Sequence, residues 1–121
     1  MTRPIVWSVA GSDSGGGAGL SADARAAEGC AVHLCPVVAA VTAQNSLGVQ
    51  RVVSVAPEVL EAQLAALAED LRPVVIKTGL IGSVDGVAVL RRWLDEHDAG
   101  GGPRVRLVID PVLGASAGGA A

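Results

Sequence analysis

The stretch AGSDSGGGAGLSAD, residues 10–23, joins a short apolar segment to an alanine-rich helical pattern. Glycine lacks a Cβ atom, so a glycine-rich loop can bring several backbone N–H groups close to a ligand, and the N-terminus of the following helix adds positive potential. The stretch has neither the Gly-Lys-Ser/Thr ending of a P-loop nor the GxGxxG spacing of a dinucleotide fingerprint. It therefore predicts a binding loop for a small polar ligand. A flexible linker is the alternative, which the strand and helix patterns on either side disfavour.

A second polar motif, TAQN at residues 42–45, follows the apolar run VVAAV at residues 37–41. This pattern predicts a buried strand that ends in an amide-bearing turn. Two further motifs also begin within or just after strand-like runs: KTGLIGS at residues 77–83 and VIDPVL at residues 108–113. Ligands of open parallel sheets bind at the carboxyl edge of the strands, so we expect all four motifs to gather at one site.

Together the four motifs resemble those of the hydroxymethylpyrimidine and phosphomethylpyrimidine kinases of thiamine biosynthesis, in the ribokinase-like superfamily. The family pattern runs AGSD-x-x-GGAG-x-x-AD and later TAQN. Ser21 stands where the family usually has Gln, and Leu80 where Met is common. The resemblance implies an α/β fold, ribokinase-like, with a mostly parallel sheet and flanking helices. It also implies that residues 1–121 are the N-terminal part of a single kinase domain, truncated relative to family members of about twice this length.

The resemblance assigns roles to five positions. Gly11 and Asp23 match positions that line the pyrimidine pocket, with Asp23 placed to hydrogen-bond the amino or hydroxymethyl group of the ring. Gln44 matches the amide that reads the pyrimidine edge, and Leu80 would give an apolar wall. Asp110 is expected near ATP and Mg²⁺, since magnesium binds one or two carboxylates together with substrate phosphates. The alternative for Asp110 is that it only orders the strand end before the following proline.

The implied reaction is transfer of the γ-phosphoryl group of ATP to 4-amino-5-hydroxymethyl-2-methylpyrimidine and then to its monophosphate. In the family, the base and the anion hole come from a Gly-Thr-Gly-Cys segment of the second half, and these 121 residues contain no such segment. We therefore expect no catalytic base in the chain and no kinase activity from the chain alone. The protein partner expected for it is a complementing C-terminal half or a second copy in a homodimer.

Two other functions stay open. A pyridoxal kinase-like enzyme is one, because DPVLG at residues 110–114 also resembles the strand-end motif of that family. The glycine-loop and TAQN motifs favour the pyrimidine. The other is a non-catalytic pyrimidine-binding half-domain or a subunit of a split kinase.

The composition disfavours several classes of protein. The formal net charge is −3, no Lys/Arg cluster is present, and Phe and Tyr are absent, so we expect no nucleic-acid partner. Signal-peptide and membrane-spanning patterns are absent, so a cytoplasmic location is expected and no membrane association. Cys30, His33 and Cys35 lack a second pair of metal ligands, and we expect two buried, reduced thiols. The sequence leaves open whether Lys77 forms a structural ion pair.

Hydrophobic patterning predicts alternating strands and helices. The expected strands are residues 4–10, 32–41 (interrupted by Pro36), 49–55, 74–77 and 105–109. The expected helices cover residues 19–29, residues 57–71 and a segment that follows Ser83 as N-cap, with Val87, Leu90 and Leu94 on its inner face. Such alternation is typical of a parallel α/β sheet.

Overall fold

A computed structural model describes residues 2–112 of the chain. In these residues the chain forms five strands and three helices: β1 (Ile5–Asp13), α1 (Gly19–Gly29), β2 (His33–Gln44), β3 (Val49–Ser54), α2 (Pro57–Asp70), β4 (Val75–Thr78), α3 (Val84–Ala99) and β5 (Arg106–Ile109). No helix within residues 2–112 is long and apolar enough to cross a membrane.

The strands form one sheet in the order β3-β2-β1-β4-β5. Strands β2, β1, β4 and β5 are parallel, and β3 runs antiparallel to β2 at one edge. The predicted α/β class with a mostly parallel sheet is therefore confirmed. Because consecutive parallel strands are joined through helices, their carboxyl ends meet along one edge of the sheet.

The main core lies between the sheet and helices α2 and α3. Trp7 and Val9 of β1 are fully buried there, and Leu60 and Leu64 of α2 pack against them. The Trp7 indole N–H donates to the carbonyl oxygen of Leu71 at 2.7 Å, so this large side chain is buried with its polar atom satisfied. The alternate residues of β1 face the opposite side, where α1 packs, so the central strand β1 is covered on both faces.

Helices α1 and α2 begin where the sequence predicts, at Gly19 and Pro57. The hydroxyl of Ser83 accepts a hydrogen bond from the N–H of Gly86 at 3.0 Å, which confirms Ser83 as the N-cap of α3. The predicted inner face of α3 is wrong at one position, because Val87 is 51% exposed and Val89 is buried instead. Gly86 lies close to Ile81, so the helix packs through the face that begins at residue 86.

Two strands extend further than the sequence predicts. Strand β1 continues to Asp13, and β2 continues into the TAQN motif as far as Gln44. Residues 11–13 pair with residues 40–42 beyond a register shift at Ala10/Gly11, and residues 43 and 44 pair with β3. The expected interruption at Pro36 is also wrong, since Pro36 pairs in register with Ser8 of β1.

The outer edge of β2 is closed by a side chain before β3 begins to pair at Ala40. The Gln63 side chain on α2 accepts from the N–H of Val38 at 2.8 Å and donates to the Val38 carbonyl oxygen at 2.9 Å. An amide side chain thus takes the place of a neighbouring strand. Residues two apart along a strand direct their backbone groups to the same side, so the nitrogen of Pro36, which carries no hydrogen, also faces outward.

Candidate functional site

A cavity of about 480 Å³ opens at the carboxyl edge of the parallel strands. Each of the four sequence motifs contributes to its wall, through Gly11, Gln44, Leu80 and Asp110 among others. The predicted gathering of the motifs at one edge is therefore confirmed. The roles that the resemblance assigns to these residues stay predictions.

The glycine loop is organised around the carboxylate of Asp13. Its Oδ1 atom accepts from the N–H of Gly15 at 2.7 Å, and its Oδ2 atom accepts from the N–H groups of Gly17 and Ala18, each at 2.9 Å. The donors that could have cradled a phosphate are thus engaged by a carboxylate of the same loop. This agrees with the absence of the P-loop and dinucleotide-binding patterns from the sequence of the loop.

Gln44 is fixed at the end of β2 by Ser14 of the glycine loop. The Ser14 hydroxyl accepts from the Gln44 N–H at 2.8 Å and donates to the Gln44 carbonyl oxygen at 2.5 Å. The Thr42 hydroxyl lies 2.8 Å from the Ser12 carbonyl oxygen and 3.3 Å from the Gln44 Oε1 atom. These contacts lock the loop to the strand and hold the Gln44 amide against the cavity.

Leu80 and Gly11 form an apolar part of the wall. A Cβ atom on Gly11 would lie 3.4 Å from the Leu80 Cδ2 atom, so the two residues are close neighbours in the wall. The leucine is half-buried and lines the cavity. A flat heteroaromatic ring is the type of ligand that an apolar wall with a facing amide suits.

Asp23 does not line this cavity directly. Its carboxylate accepts from the Ser8 hydroxyl at 2.6 Å, and the Lys77 ammonium lies 3.1 Å from its Oδ1 atom and 2.9 Å from its Oδ2 atom. Lys77 itself is part of the cavity wall. The structural ion pair that the sequence left open for Lys77 is present, and Asp23 is its partner.

Asp110 lies at the far side of the cavity, directly after β5. Its N–H donates to the Thr78 carbonyl oxygen at 2.9 Å, which continues the sheet pairing by one residue, and the residue is exposed. Within residues 2–112 no group of three or more His, Cys, Asp or Glu side chains is arranged to hold a metal ion. A single exposed carboxylate can bind Mg²⁺ only when the phosphates of a bound substrate supply further ligands.

The two thiols differ from each other. Cys35 is buried in the main core, as predicted, whereas Cys30 is exposed just after α1, so the expectation of two buried thiols is wrong for Cys30. The pKa of the Cys35 thiol is raised by its burial and further by the negative charge of Asp70. Both thiols are free.

Sequence reasoning missed the contacts that hold the site together. Ser8, Ser14 and Asp13 each bind another part of the site, although Ser14 and Asp13 lie within the quoted loop. Ser8 could have been found from the pattern, because it is a polar residue inside an otherwise apolar strand and such a residue requires a partner.

Comparison with known proteins agrees with this geometry. The sequence profile of the family described as phosphomethylpyrimidine kinase matches residues 13–121. The hydroxymethylpyrimidine/phosphomethylpyrimidine kinase of Bacillus subtilis is 42% identical over 110 residues, which cover 91% of this chain and 39% of that protein. The enzyme of the same name from Mycobacterium tuberculosis is 44% identical over 115 residues, covering 93% of this chain and 39% of the relative.

Solved structures show the same relationship. The phosphomethylpyrimidine kinase of Clostridium difficile superposes with a TM-score of 0.84 at 30% identity, over 98% of this chain and 49% of that one. The pyridoxal kinase of Staphylococcus aureus in complex with pyridoxal gives a TM-score of 0.74 at 26% identity, over 93% of this chain and 40% of that one. The chain therefore spans about two fifths of the curated relatives and about half of the first structure.

The sheet, its helices and the structural matches place the chain in the ribokinase-like fold class. Within that class, it belongs to the phosphomethylpyrimidine kinase family.

Proposed function

We propose that this chain supplies the acceptor-binding part of a kinase for 4-amino-5-hydroxymethyl-2-methylpyrimidine and its monophosphate. The observation that carries the proposal is the meeting of Gly11, Gln44 and Leu80 in one cavity at the carboxyl edge of the sheet. In the reaction, the hydroxymethyl oxygen loses its proton and bonds to the γ-phosphorus of ATP, while the bond to the bridging oxygen breaks and ADP leaves. In the second reaction a phosphate oxygen of the monophosphate is the acceptor.

In this proposal, the residues of the cavity bind and orient the ring. The Gln44 amide carries both a donor and an acceptor in one plane, which matches the edge of an aminopyrimidine. Leu80 and the backbone of Gly11 bound the ring faces. Such positioning is a large part of phosphoryl-transfer catalysis, since the acceptor oxygen must be held in line with the leaving group.

ATP is the proposed phosphoryl donor, and Mg²⁺ would neutralise charge on its phosphate oxygens when bound. Asp110 is the residue of this chain that we assign to that ion, because this exposed residue lines the same cavity as the acceptor residues, at its far side. The Asp110 carboxylate would complete the ligand set that the phosphates begin. A cytoplasmic location, with a supply of ATP, fits this activity.

We further propose that the chain needs a complement to act as a kinase. Among residues 2–112 no strand pairs with the outer side of β5, and Leu107, Val108 and Ile109 are 44%, 53% and 64% exposed. An apolar open strand of this kind is a surface for further strands of the same sheet. The chain matches only about two fifths of its curated relatives, so the complement we propose is the remainder of a family kinase domain. That part would supply the base and the anion hole.

Calorimetric titration of the purified chain with 4-amino-5-hydroxymethyl-2-methylpyrimidine tests the pocket. We expect saturable binding that is lost in Gln44→Ala and retained in Gln50→Ala, which removes an exposed amide from β3 outside the cavity. Circular dichroism shows whether each variant is folded. Absence of binding by the folded chain would overturn the proposal that this chain contains a preformed acceptor pocket.

Pyridoxal is the second candidate acceptor, favoured by the likeness to the pyridoxal-bound Staphylococcus aureus kinase. The same titration with pyridoxal distinguishes the two. Tighter binding of pyridoxal than of the pyrimidine would assign the chain to the alternative substrate. Binding of the pyrimidine without phosphoryl transfer, even after a family C-terminal half is added, would favour a non-catalytic half-domain.

A further inference from the structure

The ion pair of Lys77 and Asp23 lies at the cavity, on the face of the sheet that α1 covers. Lys77 is directly opposite Ser8 in the pairing of β4 with β1, and Asp23 of α1 reaches both side chains. Ser8 is fully buried, whereas the side chains of Lys77 and Asp23 are 24% and 21% exposed. A buried hydroxyl therefore holds Asp23 from the interior of the fold, and the ion pair remains partly exposed.

The ammonium group has donor capacity beyond its ion pair. A lysine ammonium carries three hydrogens and no acceptor, and two of its contacts here are to the two Asp23 oxygens. Lys77 also lines the cavity, so its remaining hydrogen is available to a ligand there.

Gly79 keeps the approach to the ammonium open. A Cβ atom on Gly79 would lie 3.3 Å from the Lys77 Nζ atom and 3.1 Å from the Ala10 Cβ atom. A side chain at this position would crowd both the lysine and β1. The glycine therefore preserves the space next to the charged group.

The strand order places Lys77 between the two ends of the cavity. Gln44 ends β2, Lys77 lies on β4, and Asp110 follows β5, which is the next strand outward. A ring read by Gln44, with its reactive substituent directed toward Asp110, would present that substituent near Lys77.

We propose that Lys77 contacts the acceptor, by donating a hydrogen bond to the oxygen of the substituent at ring position 5. This inference rests on the proposed function and deepens it. Asp23 is then a positioning residue, which holds the ammonium at the cavity wall and balances its charge. Ser8 fixes Asp23 in turn.

Calorimetric titration of the parent chain and of Lys77→Met with two ligands tests the inference. The ligands are 4-amino-5-hydroxymethyl-2-methylpyrimidine and 4-amino-2,5-dimethylpyrimidine, which lacks the hydroxyl group. We expect Lys77→Met to weaken binding of the hydroxymethyl compound by about tenfold or more, which is the effect of losing a hydrogen bond to a charged group. The same variant should bind the dimethyl compound as tightly as the parent does. Arg92→Met, which removes an exposed cation of α3, should bind both ligands as the parent does.

Lys77→Met leaves the Asp23 carboxylate without its cation, so a paired variant separates the two effects. Asp23→Asn combined with Lys77→Met removes both charges, and we expect it to show the same loss for the hydroxymethyl ligand. Equal affinity of parent and Lys77→Met for the hydroxymethyl ligand would overturn the inference while the proposed function stands. An equal loss of affinity for both ligands would also overturn it, because Lys77 would then act without contacting the hydroxyl oxygen.

The parent chain alone supplies a measurement that does not depend on how the variants fold. It should bind the dimethyl compound about tenfold more weakly than the hydroxymethyl compound. Equal binding of the two compounds overturns the inference. Absence of binding of either compound by the folded parent overturns the proposed function, and the inference with it.

Discussion

The backbone of Gly19 passes directly against the carbonyl oxygen of Gly11, with a φ of +61° at Gly19. An isolated bridge between Ser12 and Gly19 lies beside this contact. The glycine loop therefore closes back on the end of β1 before α1 begins. A Cβ atom at residue 19 would clash with the Gly11 carbonyl oxygen, and positive φ is strained for any residue with a side chain.

Gly19→Ala should therefore lower the free energy of unfolding by about 1–3 kcal/mol and weaken ligand binding. Urea denaturation and calorimetry measure the two effects. The matched control is Gly29→Ala at the other end of α1, where a Cβ atom meets nothing within 4 Å. The control should be neutral or raise stability by up to about 1 kcal/mol, since alanine is the better helix former. Equal stability of the two variants would contradict the prediction.

Asp13→Ala should disorder the glycine loop. The substitution removes the acceptor of three backbone N–H groups, and we expect a loss of about 1–2 kcal/mol in unfolding free energy, comparable to the loss of a helix cap. Hydrogen exchange of residues 15–18 should become faster. Asp95→Ala on the exposed surface of α3 is the control, and it should leave the loop amides unchanged. Unchanged exchange in Asp13→Ala would show that the loop holds its shape without the carboxylate.

Gln63→Leu should lower the free energy of unfolding, because it removes the side chain that pairs with the outer edge of β2. The N–H and carbonyl groups of Val38 lose their side-chain partner and become partly buried without hydrogen bonds, at a cost of about 1–3 kcal/mol. Chemical denaturation measures the change. Gln50→Leu, an exposed position on β3, should stay within about 0.5 kcal/mol of the parent. If the two variants lose the same stability, the amide of Gln63 does not close the strand edge.

The raised pKa of Cys35 predicts a loss of stability at alkaline pH. Burial lifts this pKa above its usual value, and the negative charge of Asp70 adds to the effect. The folded chain then holds the thiol proton more tightly than the unfolded chain, so this contribution is complete below about pH 8.5 and is lost as pH rises through the folded pKa. The unfolding free energy of the parent should fall more steeply above that pH than that of Cys35→Ala. Parallel pH profiles would contradict this.

The open edge of β5 predicts self-association of the isolated chain. Sedimentation velocity at increasing concentration should show dimers or larger species, and Val108→Lys should reduce them because a charge on an edge strand opposes pairing. Leu47→Lys is the control, since Leu47 is 86% exposed in the loop between β2 and β3 and lies away from that edge. A parent chain that stays monomeric throughout would show that the edge does not pair with copies of itself.

The sequence predicted the order of elements and the edge where the motifs meet. Both depend on local patterns, namely short apolar runs followed by polar turns, and on the rule that ligands bind at the carboxyl ends of parallel strands. The helix predicted over residues 57–71 likewise follows from helical period alone, and Leu60 and Leu64 of this helix are buried.

The errors come from contacts between segments that are distant in sequence. Val87 and Val89 are equally apolar, and which one faces the core depends on how α3 packs through Gly86 against Leu60 of α2. The extension of β2 through Thr42 depends on pairing with β1 beyond its register shift. Neither the ion pair of Lys77 with Asp23 nor its support by Ser8 can be derived from spacing, because the three residues lie on different elements.

The outer edge of β2 has a consequence for how this sheet can be enlarged. Below Ala40 that edge offers no hydrogen to a new strand at Pro36, and the Gln63 amide already occupies Val38. The antiparallel strand β3 covers the remainder of the same edge. Strands of a complement therefore cannot pair directly with β2, whereas among residues 2–112 the outer side of the apolar strand β5 is unpaired and can accept them. A complement added there would arrive beside Asp110, which we propose lies near the phosphoryl donor, and would leave in place Gly11 of β1 and Gln44 of β2, which we propose bind the ring.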